Sequence, residues 1–229
     1  MVGVSAASAA SIGVSPVRVT LDSKQVGTIT VSNKGTKPVI MQMEVLNWSQ
    51  REGEDVLTAT REVLANPPIF TLPVGGSQLV RVGLRRAPHA QRELTYRIIL
   101  RELPPPPSPD FTGTQMTMRI SLPVFVLPEV AAKPALLWQA VHTPQGALKL
   151  SVYNSGNAHI QISEFNLSLP GSDQPWVIKR SSDYVLAGQS REWTLLANSE
   201  SLTPPPGATI HLFAQTDAGD IEAKVIIAP

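Results

Sequence analysis

The chain has 229 residues, with 19 lysines and arginines against 18 aspartates and glutamates, and no cysteine. Balanced charge without a basic stripe argues against a nucleic-acid partner. The missing cysteine excludes disulfides, zinc thiolates and a thiol nucleophile.

The 21 prolines fall mostly between alternating segments, the pattern of a turn-rich all-β protein with one large or two ordinary domains. Residues 1–11, MVGVSAASAAS, are small and weakly apolar, with the Ala-x-Ala pattern of a signal-peptidase site at Ala7–Ala9. They read as a signal remnant or a flexible N-terminus. No run approaches the roughly 20 apolar residues of a membrane span, so no integral membrane segment is expected.

Ile12–Leu21 alternates Val17, Val19 and Leu21 against Arg18 and Thr20 and reads as one strand. Gly27–Ser32 and Val39–Trp48 follow as strands. Asn33-Lys-Gly-Thr-Lys-Pro is a turn between them, and the charged Arg51-Glu-Gly-Glu-Asp is a hairpin tip. Asn66–Gly76 is turn-rich. Gln78–Leu84 and Leu94–Leu103 resume the alternation. Leu103–Pro109, LPPPPSP, cannot be regular strand or helix because proline lacks the donor.

From that stiff loop runs Thr112–Pro128, TGTQMTMRISLPVFVLP, read as one long strand. Met116, Met118 and Ile120 fall on one face, and Gln115, Thr117 and Arg119 on the other. An apolar strand launched from a proline loop is expected at a sheet edge, where it is an aggregation hazard unless something uses it. About seven strands over roughly 115 residues suit an immunoglobulin-like sandwich.

Residues 129–134 read as a short linker between a domain at 12–128 and another at 135–229. Strands are expected in the second domain at Leu136–Val141, Leu148–Tyr153, His159–Leu169, around Trp176–Ile178, and at Arg191–Leu196, Thr209–Gln215 and Ile221–Ile227. No stretch has a helical period. The fold class is therefore all-β, two β-sandwich domains in series.

Catalytic chemistry has little to stand on. His89, His142, His159 and His211 have no metal-ligand spacing, and each reads as a surface or strand residue. No nucleophile elbow or phosphate loop is present. Asp110, Glu129 and Asp183 are assigned to loops, with no acid–base couple among them. No enzyme activity, metal or cofactor is expected.

Several segments, in order, resemble the periplasmic pilus-assembly chaperones of the chaperone–usher pathway, the PapD-like proteins. They are Ser15-Pro-Val-Arg-Val, ANPPIFTLPVGGSQLVRV at Ala65–Val82, YRIILRELPP at Tyr96–Pro105, the strand Ile120–Pro128, and the turns Tyr153-Asn-Ser-Gly-Asn and Gln215-Thr-Asp-Ala-Gly-Asp. The resemblance runs from about Ile12 to Ile227. It implies two immunoglobulin-like domains set in an L, a periplasmic location, pilin subunits and an outer-membrane usher as partners, and donation of the last strand of the first domain to an incomplete subunit. Thr114, Met116, Met118 and Ile120 would be the donated side chains. The same apolar edge leaves room for a self-capping dimer of the free chain.

The resemblance also implies a basic anchor for the subunit's terminal carboxylate. Its first arginine maps onto Arg18. The family's second basic residue, a lysine on the last strand, is replaced by Pro123, so Arg97 is the preferred substitute, then Arg119, with Arg101 on the same face as Arg97. An acidic pair at the domain junction maps onto Glu93 and Asp217, but Leu127 stands where the family has an arginine. The absent lysine, the Ser-Leu-Pro-Val-Phe-Val run, the Tyr-Arg pair and the lack of cysteine resemble the archaic branch of the family. Two other readings stay open: a tandem immunoglobulin-like surface protein, and a carbohydrate-binding module using Trp48, Trp138, Trp176 and Trp193.

Overall fold

A computed structural model describes residues 11–22, 25–104, 116–172, 175–195 and 204–228. The chain forms two compact units. The first comprises Met1–Trp48, Leu57–His89 and Leu94–Glu129; the second comprises Ser49–Val56, Ala90–Glu93 and Val130–Pro229. The second unit thus takes in two short pieces of the first half, the tip of one hairpin and the approach to one strand. Among the described residues the regular structure is entirely strand.

The first half contributes β1 (Ile12–Ser15), β2 (Val19–Leu21), β3 (Val26–Asn33), β4 (Val39–Arg51), β5 (Glu54–Ala59), β6 (Val63–Asn66), β7 (Ile69–Leu72), β8 (Ser77–Leu84), β9 (Leu94–Leu103) and β10 (Arg119–Val126). One sheet has the order β1-β3-β8-β6. The other has the order β2-β10-β9-β4-β5, with β7 also on β4. Inward side chains of both sheets, among them Ile29, Val31, Val80, Val82, Met41, Tyr96, Ile98, Leu100 and Val124, form one buried core. The hairpin between β4 and β5 turns on Glu52 and Gly53, both with positive φ, the two-residue geometry that matches strand twist.

Two expectations change here. Ile12–Leu21 is two strands, not one. β1 pairs antiparallel with β3 in one sheet, and β2 pairs parallel with β10 in the other. Pro16 and the exposed Val17 carry the chain across. Of the long strand expected from Thr112, residues 112–115 lie outside the described residues, Met116–Met118 have no regular structure, and strand is assigned from Arg119. Its partner β9 ends at Leu103, and Pro104 has no N–H to offer, so pairing with β9 runs out. The last link is the Glu102 N–H to the Met118 carbonyl, at 2.9 Å.

The second unit holds β11 (Leu136–His142), β12 (Leu148–Asn154), β13 (Ile160–Ser168), β14 (Val177–Val185), β15 (Ser190–Leu195), β16 (Thr209–Thr216) and β17 (Ile221–Ala228), in the order β14-β13-β16-β17-β11-β12-β15. Its core gathers Leu150, Ile162, Phe165, Trp193, Leu212 and Ile227. Asp183 lies on β14, not in a loop. The polar run before it hides the strand from an alternation test.

Both units fix a strand end with a buried asparagine. Asn33 donates to the Lys37 and Leu72 carbonyls and accepts from Gly35 N–H. Asn154 does the same with the Ala158 and Val185 carbonyls and Gly156 N–H. Gly156 is obligatory: a Cβ there would stand 2.2 Å from the Lys133 carbonyl oxygen.

Candidate functional site

The site lies on the sheet of the first unit that contains β10. β2 matches only Val124–Val126, whereas β9 matches all of Arg119–Val126. Among the described residues, Arg119–Pro123 therefore has a strand on one side and an open edge on the other. Exposure rises steadily along its apolar row. Leu122 is buried, Ile120 is half-buried against the unit's own core, Met118 is half-buried, and Met116 is 79% exposed. Thr114, the fourth expected donor, lies outside the described residues. β17 also has a stretch without a second neighbour, but a tight turn at Thr216–Gly219 ties its start to β16, so no apolar tail leads into it.

Because strands alternate, Tyr96, Ile98, Leu122 and Val124 face the core. Arg97, Ile99, Arg101, Arg119, Pro123 and Phe125 face outward. Register places Arg119 directly opposite Arg101, and Pro123 directly opposite Arg97. Arg101 also pairs with Glu44 at 3.5 Å. Two aromatic rings share this outer face and are nonetheless buried: Trp48 is 2% exposed and Phe125 0%. Their centroids are 6.0 Å apart. The Arg97 guanidinium carbon sits 3.7 Å from the Trp48 centroid, and that of Arg18 sits 5.8 Å from the Phe125 centroid.

All four expected arginines thus share one sheet face. Glu44, on the same face of β4, pairs with one of them, Arg101. Like charges set directly opposite across strands repel, and the Glu44 carboxylate offsets this at Arg101.

Glu93 and Asp217 are brought together inside the second unit by His159, the residue just before β13, with no ligand spacing to mark it. The side chain of Glu93 is fully buried and that of His159 is 13% exposed. Glu93 accepts the His159 backbone N–H at 2.8 Å and contacts His159 Nδ1 at 2.8–2.9 Å. His159 Nε2 stands 3.8 Å from Asp217 Oδ2. The histidine occupies the place between two acids that was sought at Leu127. The acidic pair itself was the signal, had any base been allowed to fill it. Leu127 is half-buried and donates its N–H to the Leu21 carbonyl in the first unit.

A second acidic cluster surrounds Asp183. It accepts from Ser181, from Trp193 Nε1 at 2.9 Å and from Arg191 at 2.9 Å, and Arg191 also reaches Asp55 at 3.2 Å. Burial pushes the Asp183 carboxyl up, but the bonds from Ser181, Trp193 and Arg191 outweigh it and hold the group below its ordinary range. A folded-state value below the unfolded one adds stability above the unfolded value, and this is lost as pH falls through the folded one. Stability measured by denaturant should therefore fall more steeply below about pH 4 in the wild type than in Asp183→Asn. Equal slopes would count against this linkage.

In the first unit, the Tyr96 hydroxyl at 2.6 Å and then Arg86 hold the Glu62 carboxyl low. Both clusters are arrangements of carboxylates satisfied by donors. Among the described residues no group of three or more His, Cys, Asp or Glu side chains is placed to hold a metal, and no helix is long and apolar enough to cross a membrane. Trp48, Trp176 and Trp193 are buried and Trp138 is half-buried, so none offers an open face to a sugar.

Fold and face define a tandem immunoglobulin-like protein with an open strand edge beside an arginine-rich surface. Residues 11–132 match the model of the pili and flagellar-assembly chaperone family, PapD N-terminal domain, and the chain belongs to that family. It is a chaperone family, not an enzyme family. None of the curated proteins matches by sequence.

Among the solved structures that resemble it over nearly its whole length are the following three. The CsuC–CsuE chaperone–tip adhesion subunit pre-assembly complex, from the archaic chaperone-usher Csu pili of Acinetobacter baumannii, contains a chain that is 18% identical. That match covers 96% of this chain and 100% of that one, with a TM-score of 0.71. The Salmonella enterica complex of SafA pilin with the SafB chaperone matches at 18% identity, over 96% and 98%, with a TM-score of 0.64. The E. coli chaperone DraB matches at 21%, over 94% and 97%, with a TM-score of 0.63. At these identities the likeness establishes the fold.

Proposed function

We propose that the chain is a non-catalytic periplasmic chaperone of the archaic branch. It binds pilin subunits by adding the N-terminal half of β10, and the residues leading into it, to an incomplete subunit sandwich, and it delivers them to an outer-membrane usher. The observation that carries this reading is the open edge at Arg119–Pro123, continued by Met118 and Met116 as they leave the unit's own core. Strand addition gains about 1 kcal/mol net per main-chain hydrogen bond and about 1.5–3 kcal/mol per fully buried apolar side chain. Methionine suits a surface that must fit related grooves because it is flexible. The arginine face beside the edge suits a subunit that ends in a carboxylate, and Arg97 stands across from Pro123, where the family's lysine is missing.

The test is co-expression with a pilin subunit, followed by a pull-down. Met116→Asp together with Met118→Asp should abolish co-purification. Neither side chain is buried, so the variant should unfold within about 1 kcal/mol of wild type. Undiminished capture by that folded variant would overturn strand donation.

A further inference from the structure

We propose that Trp48 and Phe125 are positioning residues for subunit capture: a buried aromatic platform on the outer sheet face that presents the Arg97 and Arg18 guanidiniums to the subunit's terminal carboxylate. The inference rests on the arginine anchor of the proposed function and adds the groups that aim it. A sheet face that is not the core seldom buries two large rings, yet here Trp48 is 2% exposed and Phe125 0%, 6.0 Å apart. Each carries one arginine, Arg97 at 3.7 Å and Arg18 at 5.8 Å. A side-chain bond also holds the tryptophan's strand, since the Thr95 Oγ1 hydroxyl donates to the Trp48 carbonyl at 2.6 Å.

A guanidinium is planar and weakly hydrated, and it stacks on an aromatic face. An ammonium is a compact, strongly hydrated point charge on a flexible stem. An arginine held over an indole ring at 3.7 Å has already lost much of its rotamer freedom, so less is lost when its N–H groups meet a carboxylate. The platform therefore specifies arginine, not merely positive charge, at position 97. It also assigns a role to Trp48 that neither core packing nor sugar binding supplies.

The probe is the last strand of the co-expressed pilin subunit, synthesised once with a free terminal carboxylate and once as the amide. The readout is the ratio of the two affinities, which a merely structural defect would leave unchanged. The wild type should prefer the carboxylate by about tenfold or more. Arg97→Ala should remove most of that preference. Trp48→Leu and Arg97→Lys should remove it to a similar degree, and Trp48→Phe should keep a substantial part. Arg97→Lys is a change at a half-buried surface position, so it decides the matter even if Trp48→Leu folds poorly. Preference lost in Arg97→Ala but intact in Arg97→Lys and Trp48→Leu overturns the platform while the anchor stands. No preference in the wild type, or full preference in Arg97→Ala, overturns the anchor and the platform together.

Discussion

Replacing Arg18 and Arg97 together by alanine should weaken capture of a pilin subunit by at least about a hundredfold. A hydrogen bond to a charged group contributes about 1.5–3 kcal/mol, and each 1.4 kcal/mol is about tenfold in affinity. Two such contacts to one carboxylate reach the hundredfold range at their lower bound. The two cations arrive from different parts of the chain. Arg18 lies just before β2, where the chain crosses between sheets, and Arg97 lies on the central strand opposite Pro123. Their convergence on one aromatic pair is a property of the folded sheet. Arg61→Ala is the control, because that residue is exposed on a turn away from this face, and it should bind as wild type. A double variant that captures subunits as well as Arg61→Ala does would end the anchor reading. A defect in Arg18→Ala with none in Arg97→Ala would move the second contact to Arg119, which faces Arg101 at the start of β10.

Much of this face could be read from the sequence because alternation reports faces directly. Arg97 and Arg101, four apart on a clear strand, had to point the same way, and β9 runs Leu94–Leu103 as expected. Alternation does not report which sheet a residue joins. It ran unbroken through Val17, Val19 and Leu21 and so hid the crossing between β1 and β2, on which the open edge of β10 depends. Strands of four residues such as β6 and β7 have too few repeats to show a period, and the prolines at 67, 68 and 73 made that region look like turn alone. A sequence cannot show that the Trp48 ring lies beneath an arginine. His159 is not legible for a chemical reason. The two acids near it were sought as partners of an arginine, and a histidine on a strand has no spacing that announces its partners.

Glu93→Ala should lower the stability of the second unit by about 2–4 kcal/mol, read as a shift of its denaturant midpoint. The carboxylate is fully buried at the side chain, and it is the acceptor for both the backbone and the ring of His159. Alanine leaves a buried N–H and a ring nitrogen without that partner. An unsatisfied buried donor costs about 1–3 kcal/mol, and more when a charged group is involved. Glu93→Gln keeps the shape and one acceptor oxygen, so it should lose less than alanine does. His159→Phe retains a ring against Tyr184, whose centroid is 5.8 Å away, and it keeps the backbone N–H that Glu93 accepts. Its cost should therefore fall below that of Glu93→Ala. The double variant Glu93→Ala with His159→Phe should be less destabilised than the sum of the two, since groups in direct contact couple by about 0.5–3 kcal/mol. Simple additivity would mean that the two side chains stabilise the unit independently, and Glu93 would then be a buried acid held by the His159 backbone alone.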